Sequence, residues 1–251
     1  MDKVYSRPRL LKKTHFHYCA GCGHSIIHRL VAEVIDEMNL QDRIVGINSA
    51  GCSVFAYNYL DIDMAESAHG RGLAVATGLK RASPETIVFT YQGDGDLAAI
   101  GTAETIHAAN RGERITAIFI NNAVYGMTGG QMAPTTLLAQ QTTTTPYGRD
   151  ARLEGYPIRV SEMLALLKGV VYVERTSVDS PANIRKTKKA IRKALQVQLD
   201  GLGFSMVEIL AACPINWKMD PLESWQWIGK EMTKEFPLGV IKDITGQADA
   251  N

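Results

Sequence analysis

Two groups of residues in this chain have the types and spacing for cofactor chemistry. Gly93-Asp94-Gly95-Asp96 places two carboxylates in a turn of small residues, and Asn121-Asn122 follows one helix-length and one strand-length later. Carboxylates beside a diphosphate are tolerated only with a divalent cation between them, and Mg²⁺ held by a few protein oxygens plus phosphates is the usual solution. Gly93 to Ala98 also fits the loose G-x-G-x-x-A pattern of dinucleotide-binding turns. That site wants an acidic residue at the end of the second strand and no anion facing the pyrophosphate; this chain has Asn121-Asn122 and two aspartates instead. The residues therefore favour a metal–diphosphate socket. The second group is the four cysteines: Cys19 and Cys22 form a C-x-x-C, while Cys52 and Cys213 are solitary, beside Gly51 and Pro214. One pair plus two distant thiols at one sheet edge suits a [4Fe–4S] cluster; a zinc site or a set of unrelated buried thiols uses the same residue type, and the spacing does not separate the three.

These residues need elements to position them. Ile87–Tyr91 is a short β-prone apolar run feeding the Gly-Asp-Gly-Asp turn; Leu97–Arg111 carries apolar residues at helical spacing and stops at Gly112; Ile115–Ile120 is the next strand. A strand, helix and strand of this length form a crossover with parallel strands, which brings Asp94 and Asn122 to one sheet edge. Upstream, the glycines around Cys19–Cys22 open a helix through Met38, Ile44–Ile47 is a strand, and Leu73–Arg81 is a small-residue helix. Downstream, Tyr125–Arg149 has no period and reads as a functional lid or an interface. Ile158–Leu167 is a helix, Val170–Val173 a strand, Pro181–Leu199 a basic amphipathic helix with a solvated charged face, and Phe204–Leu210 the last strand. The expected class is α/β, a mostly parallel sheet with helices on both faces. The expected organisation is an extended arm over 1–14 that lies on a neighbour or stays mobile, a cofactor domain over 15–217, and a tail over 218–251. That tail carries Trp225 and Trp227 and ends in a polar, disordered segment from Thr245.

Composition bounds the function. The 251 residues are 45% hydrophobic with net charge +1, enough for a sizeable core and without the electrostatics of a nucleic-acid or membrane-surface binder. The polar, basic start does not read as a secretory signal and no run is long enough to span a bilayer, so the expected location is the cytoplasm.

Taken together, Cys19-Ala-Gly-Cys22-Gly, Gly51-Cys52-Ser, His69-Gly70-Arg71, Gly93-Asp94-Gly95-Asp96, Asn121-Asn122 with Val124–Gln131, and Cys213-Pro214 resemble the β subunit of 2-oxoacid:ferredoxin oxidoreductases, over about residues 15 to 217. The resemblance implies the thiamine diphosphate-binding fold, with Asp94, Asn122 and the Val124 carbonyl as Mg²⁺ ligands. It also implies Gly95, Asp96 and Thr128 along the diphosphate, a phosphate at the helix N-terminus after Gly95, and Gly21 and Met127 against the cofactor. His69 is the candidate catalytic contact to diphosphate or substrate, with a purely structural histidine as the plainer reading. All four cysteines become cluster ligands.

The implied reaction is oxidative decarboxylation of a 2-oxoacid to acyl-CoA and CO₂, with coenzyme A as co-substrate and electrons passing to ferredoxin through a ferredoxin-like subunit. The chain has no second sheet domain to activate the aminopyrimidine, so a pyrimidine-domain subunit is expected, with partner contacts on the Tyr125–Arg149 loop, the basic arm and the tail. Ser53–Tyr59 is apolar and aromatic without a cation for a distal carboxylate, which favours a branched-chain 2-oxoacid such as 2-oxoisovalerate over 2-oxoglutarate, and Tyr18–His24 and Gly130–Thr136 resemble the 2-oxoisovalerate branch more than the pyruvate one. The alternatives are a non-redox thiamine enzyme subunit and a dinucleotide-binding module.

Overall fold

The computed structural model describes residues 6–247. In chain order it contains α1 (His24–Glu37), β1 (Ile44–Ser49), β2 (Asp63–Ser67), α2 (Gly72–Ala82), β3 (Ile87–Gly93), α3 (Thr102–Asn110), β4 (Thr116–Asn121), β5 (Val124–Tyr125) and β6 (Gln131–Met132). There follow α4 (Ala151–Glu154), α5 (Val160–Ala165), β7 (Val170–Ser177), α6 (Pro181–Leu199), β8 (Phe204–Leu210), α7 (Pro214–Trp217), α8 (Pro221–Trp227) and β9 (Gly239–Asp243). Seven strands form one sheet in the order β2-β1-β3-β4-β8-β7-β9, parallel throughout except for β9. The expected α/β class with a mostly parallel sheet is the observed one.

Strands buried on both faces read as continuous apolar runs, which is why β3, β4 and β8 are plain in the sequence. Alternation along them divides the core. Phe89, Ile118, Ile120, Val207 and Ile209 face α1 and α6, whereas Val88, Ala117, Phe119 and Met206 face α2, α3 and α5. Helix α6 spans Pro181–Leu199 as its sequence indicates: Ser180 caps it by accepting from the Asn183 N–H at 3.3 Å, and Pro181 sits in the first turn. The chain leaves β1 toward β2 on one side and continues to β3 on the other, so a switch point opens beyond the carboxyl ends of β1 and β3.

Several expectations are corrected. Phe204–Leu210 is not the last strand, because β9 pairs antiparallel with β7 at the sheet edge. The strand from Val170 runs on through Glu174 and Arg175 to Ser177. The helix expected over Leu97–Arg111 is interrupted: Gly95–Ile100 is a π turn, with the Gly101 N–H donating to Asp96 O at 2.8 Å, and α3 begins only after Gly101. A Cβ on Gly101 would stand 2.6 Å from Gly70 O, so this irregular turn is where the loop after β2 closes on the helix. Residues 6–14 lie on their own chain, with Leu10 and Leu11 buried, Leu11 bridged to Leu60, and Arg9 paired with Asp36 at 2.7 Å. The tail also packs inward: Trp225 Nε1 donates to Gly21 O at 2.8 Å, and Ile228, Met232 and Phe236 join a buried cluster with Ala123, Val124 and Leu210. Thr245–Gln247 forms a 3₁₀ turn, and the rest of the segment expected to be disordered, 248–251, lies outside the described residues.

The stretch Tyr125–Arg149, aperiodic in sequence, is held by one buried guanidinium. Arg149, 5% exposed, donates to the carbonyls of Pro134, Thr136, Glu154, Gly155 and Tyr156 at 2.6–3.1 Å, using all its donor capacity on backbone that forms no ladder. Lysine has fewer donors and no fork. Arg149→Lys is expected to lower unfolding free energy by about 2–3 kcal/mol, since buried carbonyls lose charged donors. Denaturant titration measures the loss, and limited proteolysis should find new cuts between residues 134 and 156.

Candidate active site

The loops leaving β1, β2, β3 and β4 enclose a cleft of about 180 Å³ at the switch point. Its walls include His24, Cys52, His69, Asp94, Asn122 and Met127. Asp94 sits at its floor, 2% exposed, directly after β3. One carboxylate oxygen accepts from the Gly95 N–H at 2.9 Å and the other from the Thr135 hydroxyl at 2.6 Å. Burial pushes its pKa up to about 6, against the opposing pull of the Thr135 hydroxyl and the Gly95 and Ala123 amides. The donors that reach its carboxylate are all neutral.

Asp96, two residues on, does a different job. Its carboxylate accepts from His69 Nδ1 at 2.6 Å, Gly70 N–H at 2.5 Å, Ser49 Oγ at 2.6 Å and Gln92 Nε2 at 2.5 Å. Its acceptor capacity is thus spent on the chain itself, tying the ends of β1 and β3 to the loop after β2. Asp96 lines the cleft as well, and its carboxylate has a framework role that orients the His69 ring. Half-buried His69 lines the cleft, with Tyr125 edge-on to it at 6.4 Å between ring centroids.

On the opposite wall, Asn121-Asn122 leaves β4 through a strained turn. Ala123 has φ +58°, a left-handed conformation in a residue with a Cβ. Its N–H donates to Asn121 Oδ1 at 3.2 Å, its carbonyl accepts from Thr136 Oγ1 at 2.6 Å, and Trp217 Nε1 donates to Asn122 O at 3.0 Å. Asn122 and Val124 line the cleft with Asp94, Gly95, Asp96, Met127 and Thr128, so seven of the residues named from the sequence meet in one place together with His69 and Cys52. Gly95 has no room for a side chain: its Cβ would stand 2.2 Å from the Tyr125 ring. Gly21 is elsewhere. It lies outside the cleft lining, has φ +79°, and a Cβ there would meet Pro221 at 2.5 Å, so its glycine is explained by the close approach of α8.

The cysteines gather beside the same cleft. A Cβ on Gly126 would stand 3.1 Å from Cys52 Sγ and 3.7 Å from Cys213 Sγ, and Asn216 Nδ2 donates to Cys213 Sγ at 3.2 Å. The Cys22 N–H donates to Cys19 O at 3.1 Å, closing the C-x-x-C turn. Burial pushes the Cys22 thiol up to about 12, with the charges of Cys213, Cys52 and Cys19 adding to the shift. Cys52 is likewise pushed up to about 12 by burial, with Cys213, Cys19 and Asp94 contributing. The thiols thus lie close enough for their charges to interact. Among the described residues no three His, Cys, Asp or Glu side chains are drawn around a single ion.

Sequence reading did not pick out three residues that shape this site. His24 lines the cleft, buried, with Nδ1 2.9 Å from the Tyr91 hydroxyl; burial lowers its pKa to about 4, so it is neutral. Its adjacency to Cys22-Gly23 was the available signal. Thr135 and Glu208 reach the site over long sequence separations and carry no local signal.

The thiamine pyrophosphate enzyme C-terminal TPP-binding domain model matches residues 49–209. The ketoisovalerate oxidoreductase subunit VorA of Methanothermobacter marburgensis is 48% identical over 249 residues, covering 99% of this chain and 52% of that protein. The 2-oxoglutarate synthase subunit KorB of Archaeoglobus fulgidus is 39% identical over 206 residues, covering 82% of this chain and 73% of that protein. The chain spans about half the length of the VorA relatives it matches. A solved structure of 2-oxoglutarate:ferredoxin oxidoreductase from Magnetococcus marinus, with 2-oxoglutarate, coenzyme A and succinyl-CoA bound, shares the fold. Its TM-score is 0.79 at 24% identity, covering 97% of this chain and 86% of that one.

Asp94 gives a direct test of the geometry. Its folded pKa lies above the unfolded value, so the cation-free chain loses stability as pH rises from about 4 to about 6 and the loss then persists. Asp94→Asn keeps both hydrogen bonds, because the Thr135 hydroxyl can accept as well as donate. The variant is expected to melt higher than the parent above pH 6, by on the order of 3 kcal/mol, and equally below pH 4. Calorimetric melts across that range without metal make the comparison.

Proposed function

The chain belongs to the thiamine pyrophosphate enzymes as a subunit of the 2-oxoacid:ferredoxin oxidoreductase type, and from that membership we propose that it supplies the diphosphate half of an active site and an adjoining [4Fe–4S] cluster. The observation that carries the reading is the shared cleft: buried Asp94, Asn122 and Val124 line it with Cys52, and Cys213 flanks Gly126 of the same wall. Asp94, the Asn122 side chain and the Val124 carbonyl would hold Mg²⁺, and Cys19, Cys22, Cys52 and Cys213 would hold the cluster. Bound thiamine diphosphate supplies the nucleophile that decarboxylates a 2-oxoacid, and a neighbouring cluster accepts the electrons one at a time.

The chain's own residues bind and orient. Gly95 keeps backbone exposed to the diphosphate, Met127 and Thr128 form the rim, and the Asp96 carboxylate fixes His69 through Nδ1 so that its other ring nitrogen is the one open to a ligand. For the wider assembly we propose that a pyrimidine-domain subunit completes the site, coenzyme A takes the acyl group, and a ferredoxin-like subunit carries electrons to ferredoxin, in the cytoplasm. Among the described residues no helix is long and apolar enough to cross a membrane. Among the residues lining the cleft none is Lys or Arg, and Phe55 and Tyr57 stand exposed on the loop after Cys52. Both support a branched-chain 2-oxoacid, 2-oxoisovalerate, over 2-oxoglutarate or pyruvate.

Two measurements test the proposal. Anaerobic reconstitution of the chain should give a brown protein with about four irons per chain; Cys213→Ser should lose most of them, and a colourless zinc protein would reject the cluster. With its partners the chain should show its highest kcat/KM on 2-oxoisovalerate, and alone it should not reduce a dye with any 2-oxoacid.

A further inference from the structure

We infer that Glu208, on β8, is a positioning residue for the metal-binding loop: through Asn121 it fixes the turn at Ala123 that sets Asn122 and Val124 in the cleft. The inference rests on the metal–diphosphate reading of that cleft. Glu208 is 1% exposed and touches nothing in the cleft lining's metal set, so its role runs through other side chains. Its Oε2 accepts from Arg175 Nε at 2.8 Å and from Ser161 Oγ at 2.5 Å, and Oε1 accepts from Asn121 Nδ2 at 2.8 Å. A side-chain amide has the same outline either way round, and its partners decide which end is oxygen. Because Glu208 can only accept, Asn121 must turn its nitrogen toward Glu208 and its oxygen toward the Ala123 N–H, 3.2 Å away.

That bond closes a tight turn and holds an alanine at φ +58°, a conformation disfavoured outside glycine. The Thr136 hydroxyl on Ala123 O and the Trp217 indole on Asn122 O brace the turn from the other side. Arg175 is itself gripped by Glu162 at 2.6 and 2.9 Å and by Pro237 O at 3.2 Å, which anchors Glu208 to α5 and to the segment leading into β9. A buried ion pair adds little net stability but is suited to enforcing one arrangement.

The test reverses the polarity of the Glu208–Asn121 bond. Glu208→Gln places an amide nitrogen against another amide nitrogen or against Arg175, and Asn121→Asp places two carboxylates face to face. In the double variant the new glutamine donates to the new aspartate, whose second oxygen still accepts from the Ala123 N–H, and the buried charge is retained. Amide hydrogen exchange over residues 121–126 of the cofactor-free full chain reads the turn itself. Titration with Mn²⁺ and thiamine diphosphate, followed by the Mn²⁺ spectrum, reads its consequence. Each single variant should exchange faster over this segment and bind Mn²⁺ about 10-fold or more weakly, and the double variant should recover both. Unchanged exchange in the single variants, or a double variant whose losses are the sum of the singles, overturns the inference. A parent chain that binds no Mn²⁺ in complex with its partners would instead refute the metal–diphosphate reading, with the exchange comparison still deciding the role of Glu208.

Discussion

A carboxylate buried without a cation is the constraint around which this structure is arranged. Asp94 ends a central strand, where the sheet withdraws it from water, and only neutral donors reach it. Burying such a charge opposes folding, and its raised pKa expresses that cost. The surrounding features are of two kinds. Some limit the cost: the Thr135 hydroxyl delivered by the Arg149-pinned loop, the Gly95 amide, and the Ala123 amide in its left-handed turn. Others shape the space in front of it: Asn122 and Val124, the proposed cation ligands, line the same cleft, and glycines keep the approach open. A chain selected for stability alone would have no reason to keep this aspartate.

Two aspartates separated by one glycine show how fold geometry divides labour. Both line the cleft, but Asp94 accepts from two donors whereas Asp96 is saturated by four from the ends of β1 and β3 and the loop after β2. The π turn over Gly95–Ile100 accommodates this difference, since it widens the first turn while Gly101 lets the Gly70 loop pack against it. The cysteines follow the same logic at the same edge. Cys52 and Cys213 leave β1 and β8 at their carboxyl ends, so parallel pairing alone brings distant thiols beside the cleft.

What was legible in the sequence was what local pattern or residue chemistry encodes. The apolar runs of β3, β4 and β8, the capped helix Pro181–Leu199, and the placement of Asp94 and Asn122 at one edge all follow from periodicity and turn residues. The edge strands were not legible. Strand β2, Asp-Met-Ala-Glu-Ser, is polar because its outer edge is solvated, and β9 is short and sits after what looked like a tail. The arm and tail looked peripheral because their anchors, Leu10 and Leu11 at one end and Met232 and Phe236 at the other, are too few to form a periodic pattern. Tyr125–Arg149 looked structureless because its order comes from one guanidinium and scattered threonines, a hydrogen-bond solution with no sequence period. The small size of Gly21 serves packing under Pro221, a close approach that its motif does not announce.

The central claim is that the diphosphate-bound metal and the iron–sulfur cluster are neighbours in one cleft of this chain. Pulsed electron paramagnetic resonance on the complex reconstituted with thiamine diphosphate, Mn²⁺ in place of Mg²⁺, and reduced iron–sulfur centres measures that proximity directly. The account predicts strong dipolar coupling between Mn²⁺ and a cluster, abolished in the spectrum of Cys52→Ser protein. A Mn²⁺ signal that binds through Asp94 yet shows no coupling to any cluster would contradict it.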